Sequence, residues 1–173
     1  MKFNKAEIPD IIIIEPIVFK DERGYFFESF REKDLNDYLG FEVNFCQENE
    51  SKSSYGVLRG LHYQEPPFAQ AKLVRVVQGS VLDVAVDIRK ESPTFRKHVA
   101  IELNEFNKRQ LFIPKGFAHG FVTLSESAVL SYKVDNYYNK DYDRGIAYND
   151  KFLCIDWKIK HEDLVLSYKD LKY

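Results

Sequence analysis

The sequence contains little that would place the protein in a membrane or in an oxidising compartment. It has two cysteines, Cys46 and Cys154, which form neither a disulfide framework nor a zinc motif. The hydrophobic run Ile11–Ile14 is far shorter than the roughly 20 residues that cross a membrane. The N-terminus lacks the charged, apolar and small-residue order of a signal peptide. We therefore predict a cytoplasmic protein that makes no membrane contact.

The chain also lacks a strong charge of either sign. Its net charge is −2, from 25 lysines and arginines against 27 aspartates and glutamates, and the basic residues form no block. This argues against nucleic acid as the main partner. The composition is 45% apolar and 15% aromatic over 173 residues. These values predict one ordered domain over residues 1–173, rich in strands and with a pocket lined by aromatic rings.

Helix signals are few and strand signals many. Two short helices are predicted, over Arg31–Leu39 with Gly40 ending it, and over Asp163–Leu171. Short apolar or alternating runs, bounded by turn residues, predict the strands of an all-β sandwich or barrel. These runs are Ile11–Ile14, Tyr25–Phe30, Val43–Cys46, Val57–Tyr63, Leu73–Val77, Val81–Ile88, His98–Leu103, Gln110–Ile113, His119–Leu124 and Ala128–Val134.

The run Leu82–Ile88 alternates strictly between aliphatic residues and the set Asp83, Ala85 and Asp87. Side chains of successive strand residues point to opposite faces of a sheet. The pattern therefore predicts a sheet with one apolar face and one polar face, the latter turned to solvent or to a wet cavity.

The segment Arg59–Gln64 carries the strongest chemical signal. Strict alternation puts His62 and Gln64 on one face of the strand and Arg59 on the other. Lys72 opens the next apolar run. A histidine and a lysine that converge on one cavity suit removal of a proton beside a carbonyl, because the base and a cationic stabiliser then lie side by side.

A metal site is the less favoured interpretation of the histidines. Metal-binding cupins carry two histidines at i and i+2 on a strand, a carboxylate soon after, and a third histidine in a later turn. His119 lies in such a turn, Pro114–Phe121, but Gln64 stands two residues after His62. Glu65 has the wrong parity to share the face of His62. Too few ligands therefore remain for a catalytic metal.

Tyr132 lies on an otherwise apolar strand face with Ala128, Leu130 and Val134. Most tyrosines in such positions are core residues whose hydroxyl is tied to a backbone group. A phenol that points into the cavity of His62 would instead donate a proton from the opposite side of a substrate. Sequence spacing leaves both interpretations open.

Several segments together resemble the dTDP-4-dehydrorhamnose 3,5-epimerase family of deoxysugar biosynthesis. The resemblance covers nearly the whole chain, in order and with the expected spacing. It is carried by Asp21–Glu28, Gln47–Asn49, Val57–Gln64, Ala69–Val74, Asp83–Arg89, Pro114–Phe121, Tyr132–Tyr138 and Ser167–Asp170.

The resemblance implies a cupin-type double-stranded β-helix, or jelly roll, that forms a homodimer and works without metal or organic cofactor. The implied substrate is a nucleoside-diphosphate 4-keto-6-deoxyhexose, epimerised at C3 and C5. His62 would be the base, assisted by Asp170, with Lys72 on the enolate oxygen and Tyr132 returning a proton. Sugar, diphosphate and nucleobase would be held by Arg23, Glu28, Gln47, Asn49, Arg59, His119, Tyr138, Asp143 and Lys169.

Phe68, Ala71 and Asp143 depart from the commonest pattern of that family, which leaves the sugar and the nucleotide base open. Three alternatives remain beside the double epimerase: an epimerase of one centre, a metal-dependent cupin enzyme, and a sugar-nucleotide binding module without catalysis. The strand Ile11–Ile14 would either pair across a two-fold axis or close its own sheet.

Overall fold

The computed structural model describes residues 1–173, and its architecture is almost entirely β. One α-helix, α1, spans Glu32–Leu39. The strands are β1 (Lys2–Lys5), β2 (Ile12–Glu15), β3 (Phe19–Asp21), β4 (Gly24–Phe26), β5 (Gln47–Ser54), β6 (Val57–Gln64), β7 (Lys72–Gln78), β8 (Ser80–Asp87), β9 (His98–Asn104), β10 (Gln110–Ile113), β11 (Phe117–Thr123), β12 (Ser127–Val134), β13 (Asp143–Gly145) and β14 (Val165–Leu166). Three single 3₁₀ turns span Lys140–Tyr142, His161–Asp163 and Asp170–Lys172.

Most of the strands form two sheets that pack face to face. The first sheet has the order β1-β2-β10-β7-β12-β5, and the second has the order β13-β6-β11-β8-β9, with β14 parallel to β6. A buried cluster joins their inner faces, with Val74 and Leu130 from the first sheet and Ala85, Val99 and Phe121 from the second. This confirms the predicted cupin-type jelly roll.

Two further clusters cover the outer faces. Against the first sheet, Leu35 of α1 packs with Val43 and Phe112. Against the second sheet, the segment that follows β13 packs Tyr148 and Trp157 onto the strands. None of the helices is long and apolar enough to cross a membrane.

The alternation along β8 is confirmed, although both of its faces are buried. Leu82 and Val84 pack into the outer cluster with Trp157, whereas Asp83 and Ala85 face the interior and are fully buried. The polar face predicted from the sequence therefore lines the inside of the jelly roll.

Most predicted strands are confirmed, but the pattern failed in polar and in loop segments. The strand predicted over Val43–Cys46 is wrong, because these residues lie outside any strand. Val43 is buried all the same, since it packs against Leu35 of α1 from a loop. The next residues, Gln47–Ser54, form β5 although they are almost entirely polar. Their backbone pairs with β12 along its whole length, and the backbone bonds need no apolar side chains. The strand predicted over Tyr25–Phe30 ends at Phe26.

Of the two predicted helices, the first is confirmed, with Gly40 in the left-handed conformation that ends it. The second is wrong: Val165–Leu166 is β14, and only a 3₁₀ turn follows at Asp170–Lys172. At the other end of the chain, β2 pairs with β1 and β10 of its own chain. The N-terminal strand thus closes its own sheet.

Candidate active site

The register of β6 places Arg59 and His62 in one cavity. Against β11, His62 pairs with His119 and Arg59 pairs with Phe121, so β6 holds one extra residue between these pairs. Such a bulge reverses the side-chain alternation. Gly60 accommodates it with a φ of +134°, and a Cβ there would overlap the backbone of Gly120. The expectation that Arg59 points away from His62 is therefore wrong.

Two cavities lie between the sheets and share four lining side chains. The first, here called the His62 cavity, has a volume of about 500 Å³. The second, the Tyr138 cavity, has a volume of about 410 Å³. The four shared residues are His62, Lys72, Tyr132 and Lys169.

The shared residues come from opposite walls. His62 lies on β6 of the second sheet, whereas Lys72 and Tyr132 lie on β7 and β12 of the first. A flat group bound between the sheets would therefore have the imidazole on one side and the phenol on the other.

Asp170 is held against His62 by several contacts. Its Oδ1 lies 2.6 Å from Nε2 of His62, and its side chain is 3% exposed against 27% for the imidazole. Ser167 donates its hydroxyl to Oδ2 at 2.6 Å, and the backbone N–H of Gly60 donates to Oδ1 at 3.4 Å. Burial favours a raised pKa for Asp170, but the bonds from His62 and Ser167 outweigh it and the pKa lies below its usual value. The carboxylate is thus charged and ready to stabilise an imidazolium.

Lys72 is an ammonium with an altered acidity. Burial lowers the pKa of Lys72 to about 8, although the nearby carboxylates of Asp83 and Asp143 act in the opposite direction. At neutral pH the group is still mainly charged. A partly buried cation in the lining of a cavity is well suited to stabilise a developing oxyanion.

The pKa of Tyr132 is shifted upwards, whereas that of Lys72 is shifted downwards. Burial raises the pKa of its phenol, and the charge of Arg59 offsets this only in part. The hydroxyl is therefore protonated over the physiological range and can donate a proton. Its position in the cavity lining favours the second of the two interpretations left open by the sequence.

The site residues predicted from the sequence do not include Asp83. Both of its carboxylate oxygens lie 2.9 Å from Nε2 of His119, and this side chain is fully buried. The signals in the sequence were its place at the start of Asp83–Arg89, a segment that carries the family resemblance, and its position on the polar face of β8. Because an acid buried between two sheets needs a partner, that position pointed to a polar neighbour without identifying it.

The remaining binding candidates lie along the rest of the two cavities. Arg59 and His119 line the His62 cavity. Tyr138 donates its hydroxyl to Asp143 at 3.0 Å, and Asp143 also pairs with Lys169. Eleven of the thirteen predicted residues line the two cavities, and these are His62, Lys72, Tyr132, Asp170, Gln47, Asn49, Arg59, His119, Tyr138, Asp143 and Lys169.

The other two predicted residues lie elsewhere. Arg23 is in the turn between β3 and β4, where its guanidinium binds Asp21 at 2.6 Å and is exposed. Glu28 follows β4 and lies 3.8 Å from Arg31. Neither residue lines either cavity of its own chain.

Ser51 and Ser167 were also absent from the predicted set. Both line the His62 cavity. The hydroxyl of Ser51 is buried there without a hydrogen-bond partner in the protein. Since buried hydroxyl groups are nearly always paired, this one is suited to a ligand atom.

Gln64, at the position where metal-binding cupins have a second histidine, is engaged elsewhere. Its amide nitrogen donates to the carbonyls of Phe68 and Tyr137, and its oxygen accepts from the backbone N–H of Asn139. Glu65 pairs with Arg144 at 2.9 Å. Nowhere do three His, Cys, Asp or Glu side chains converge in a way that could hold a metal.

The fold and the site together define a cupin-type enzyme equipped for acid–base chemistry at a carbon next to a carbonyl. Residues 5–173 match the family model described as dTDP-4-dehydrorhamnose 3,5-epimerase. The chain belongs to that family. This confirms the resemblance seen in the sequence.

Curated relatives and solved structures agree with the family match. The dTDP-4-dehydrorhamnose 3,5-epimerase of Shigella flexneri is 55% identical, covering 99% of this chain and 93% of its own. A crystal structure of the 3,5-epimerase of Legionella pneumophila in complex with dTDP-4-keto-L-rhamnose is 47% identical, with a TM-score of 0.95 over 99% of this chain and 90% of that one. More distant is a 3'-monoepimerase from Streptomyces bikiniensis with dTDP-quinovose, 30% identical with a TM-score of 0.90 over 97% of this chain and 84% of that one.

Proposed function

We propose that this protein epimerises C3 and C5 of a nucleoside-diphosphate 4-keto-6-deoxyhexose, of the type dTDP-4-dehydro-6-deoxy-glucose, and uses no cofactor. The observation that carries the mechanism is the arrangement of a histidine–carboxylate pair on one sheet opposite a lysine and a protonated tyrosine on the other. The family match and the relatives' names support the substrate.

In the first half of the reaction, His62 takes the proton from the carbon next to the C4 ketone. The electron pair of the C–H bond forms the enolate, whose oxygen binds the ammonium of Lys72. Asp170, 2.6 Å from the imidazole, stabilises the positive charge that the ring acquires.

In the second half, Tyr132 donates its proton to the same carbon from the opposite face. The configuration inverts because removal and return occur from different walls of the cavity. C3 and C5 flank one ketone, so the same lysine serves both centres. Solvent then reprotonates the phenolate and removes the proton from the imidazolium.

Acid–base chemistry alone does not account for an enzymatic rate. General base catalysis contributes about 10²–10⁴-fold and one oxyanion donor about 10²–10³-fold. Their product reaches only the low end of enzymatic accelerations, roughly 10⁶-fold and above. The diphosphate and nucleobase contacts must therefore add positioning. This role for Arg59, Lys169 and Tyr138 is supported by their position in the lining of the two cavities.

Ser51 and His119 complete the proposed set of substrate contacts. The unpartnered hydroxyl of Ser51 and the buried imidazole of His119 both line the His62 cavity. Asp83 fixes the orientation of His119, and its negative charge raises the pKa of Lys72.

Turnover of the 4-keto sugar nucleotide in heavy water tests the function directly. Two deuterium atoms, one each at C3 and C5, are expected in the product. Label at one carbon would make the protein a single-centre epimerase, as the similarity to a 3'-monoepimerase allows. No label at all, with the nucleotide still bound, would favour a binding module.

The sequence-based expectation of a cytoplasmic homodimer belongs to the same proposal. The dimer is supported by the β3–β4 hairpin, which carries the exposed apolar side chains of Phe19 and Phe26 together with Arg23. In a symmetric dimer this hairpin would lie at the cavity of the second copy. That arrangement would bring Arg23 and Glu28 to a substrate that they do not reach in their own chain.

Mixing two inactive variants tests the shared site. Arg23→Ala subunits, combined with His62→Asn subunits, should regain about a quarter of wild-type activity in the statistical mixture, because one site of each mixed dimer is then intact. Light scattering gives the mass of the assembly. A monomer, or a mixture as inactive as its components, would contradict the shared site.

A further inference from the structure

Asp170 lies in a 3₁₀ turn, Asp170–Lys172, that follows the two-residue strand β14. The chain before Asp170 is fixed because β14 pairs with β6. Asp170 itself is bonded to the hydroxyl of Ser167 through its carboxylate and its backbone N–H. After the carboxylate, Leu171 and Lys172 make backbone bonds to Ser167 and Lys169, and the ammonium of Lys172 lies over the ring of Tyr168. These bonds stay within the segment and do not tie the turn to the sheets.

Tyr173 supplies a contact to the sheets. Its ring lies on Gly145 of β13, so closely that a Cβ on Gly145 would overlap three of the ring carbons. Gly145 is the direct partner of His62 across the β13–β6 pairing. The ring also meets the imidazole edge to face, with 6.1 Å between centroids and an angle of 66° between planes.

The Asp170 turn is therefore in contact with β13 both before and after the carboxylate. Lys169 binds Asp143, and Tyr173 packs on Gly145, two residues further along the same short strand. We propose that Tyr173 and Gly145 form a latch that holds Asp170 at hydrogen-bonding distance from His62, so that both are positioning residues for proton abstraction. This inference rests on the epimerase function proposed above.

The packing of the Tyr173 ring explains why residue 145 is a glycine. Its φ is outside the left-handed region, so a side chain would be compatible with the backbone there. The space that a side chain would need is filled by the ring of Tyr173. A methyl group at this position would lift the ring, and the turn with it, away from β13.

The first test is Tyr173→Ala in the deuterium-exchange assay. A displacement of about 1 Å in a catalytic group can cost as much as 10²-fold, so kcat should fall at least about tenfold while KM changes by less than about twofold. Tyr173→Phe should retain wild-type turnover, because the ring and not the hydroxyl makes the contact. Leu171→Ala, at an exposed position of the same turn, is the matched control.

A double-mutant cycle separates positioning from a general loss of structure. In an Asp170→Asn background, Tyr173→Ala should have little further effect, because the carboxylate that it holds is already gone. Gly145→Ala should reproduce the loss, and Gly145→Ala combined with Tyr173→Ala should be no worse than Tyr173→Ala alone. Thermal unfolding and dTDP affinity should stay near wild type throughout.

The outcomes distinguish failure of the latch from failure of the function. Wild-type protein that incorporates no deuterium would reject the epimerase itself. An active wild type whose Tyr173→Ala variant keeps its kcat would overturn the latch alone. So would an equal loss in the Asp170→Asn background. Should Tyr173→Ala fold poorly, Gly145→Ala carries the same comparison without shortening a side chain.

Discussion

His62 and His119 are partners across β6 and β11, and each has a carboxylate at hydrogen-bonding distance, yet the two pairs are built differently. Asp83 belongs to a central strand, is fully buried and presents both oxygens to a histidine that is 8% exposed. Asp170 belongs to a 3₁₀ turn near the end of the described chain, and its histidine is 27% exposed.

The difference indicates a division of roles. A histidine clamped by both oxygens of an acid in the core of a sheet has a fixed orientation, which suits binding and support. A histidine that is open to the cavity, with its acid on a separately anchored turn, can accept and release a proton repeatedly. Two similar pairs in one cavity thus favour different functions because their supports differ.

The largest effect should come from changing the two histidines separately. His62→Asn should lower kcat by about 10³-fold with substrate affinity largely retained, since general base catalysis is lost. His119→Asn should lower it by no more than about tenfold and mainly raise KM. Steady-state kinetics, with circular dichroism to verify folding, make the comparison. Similar losses in kcat for both variants would abolish the distinction.

The second largest effect is expected from changing the two carboxylates, Asp170 and Asp83, separately. Asp170→Asn should reduce kcat by about 10²-fold, because the imidazolium loses its counter-charge. Asp83→Asn should act more on folding, lowering the free energy of unfolding by about 1–3 kcal/mol through the loss of a buried charge-assisted bond. Urea unfolding of both variants gives this value. A greater loss of stability for Asp170→Asn would reverse the assigned roles.

The pH dependence sharpens the role of Asp83. Lys72 must be charged to stabilise the enolate, and its pKa of about 8 predicts that kcat/KM falls as the pH rises through that value. The negative charge of Asp83 raises this pKa, so Asp83→Asn should move the alkaline limit to lower pH. Asp87→Asn, in the same strand but bound to Arg89, serves as the control. An unchanged limit in Asp83→Asn would separate Asp83 from Lys72.

The smallest effect is expected at Ser51, in the lining of the His62 cavity. Ser51→Ala should raise KM by about fivefold, equivalent to one ordinary hydrogen bond of about 1 kcal/mol, with kcat nearly unchanged. Ser53→Ala is a useful contrast, because the hydroxyl of Ser53 already accepts from Arg59 at 3.1 Å. If Ser51→Ala leaves KM unaltered, the unpartnered hydroxyl does not meet substrate.

The strands that the sequence predicted correctly were those whose side chains are sorted by burial. β8 alternates because one face meets Trp157 and the other meets the interior. β5 escaped prediction because backbone pairing with β12 holds it in place, and pairing leaves no trace in side-chain hydrophobicity. Val43 misled in the opposite way, since an apolar residue can be buried from a loop.

The site, like the strands, was predicted from the sequence only in part. Motifs at Arg59–Gln64 and Ser167–Asp170 pointed to the proposed base His62 and to Asp170, which the structure places 2.6 Å apart. Alternation put Arg59 on the wrong face because a bulge adds one residue to β6. No local pattern distinguishes Asp83 from Asp87 in β8, or Ser51 from the other polar residues of β5. Only their neighbours across the sheets reveal what they can bind.

The sequence by itself determined the family, the sheet-rich architecture and the types of group available for chemistry, because these follow from local motifs and from the period of burial along each strand. The tertiary structure alone decided which groups share a cavity, which wall each occupies, and how burial sets the pKa of Lys72. Those properties depend on distances between residues far apart in the chain, and only packing of the two sheets fixes them.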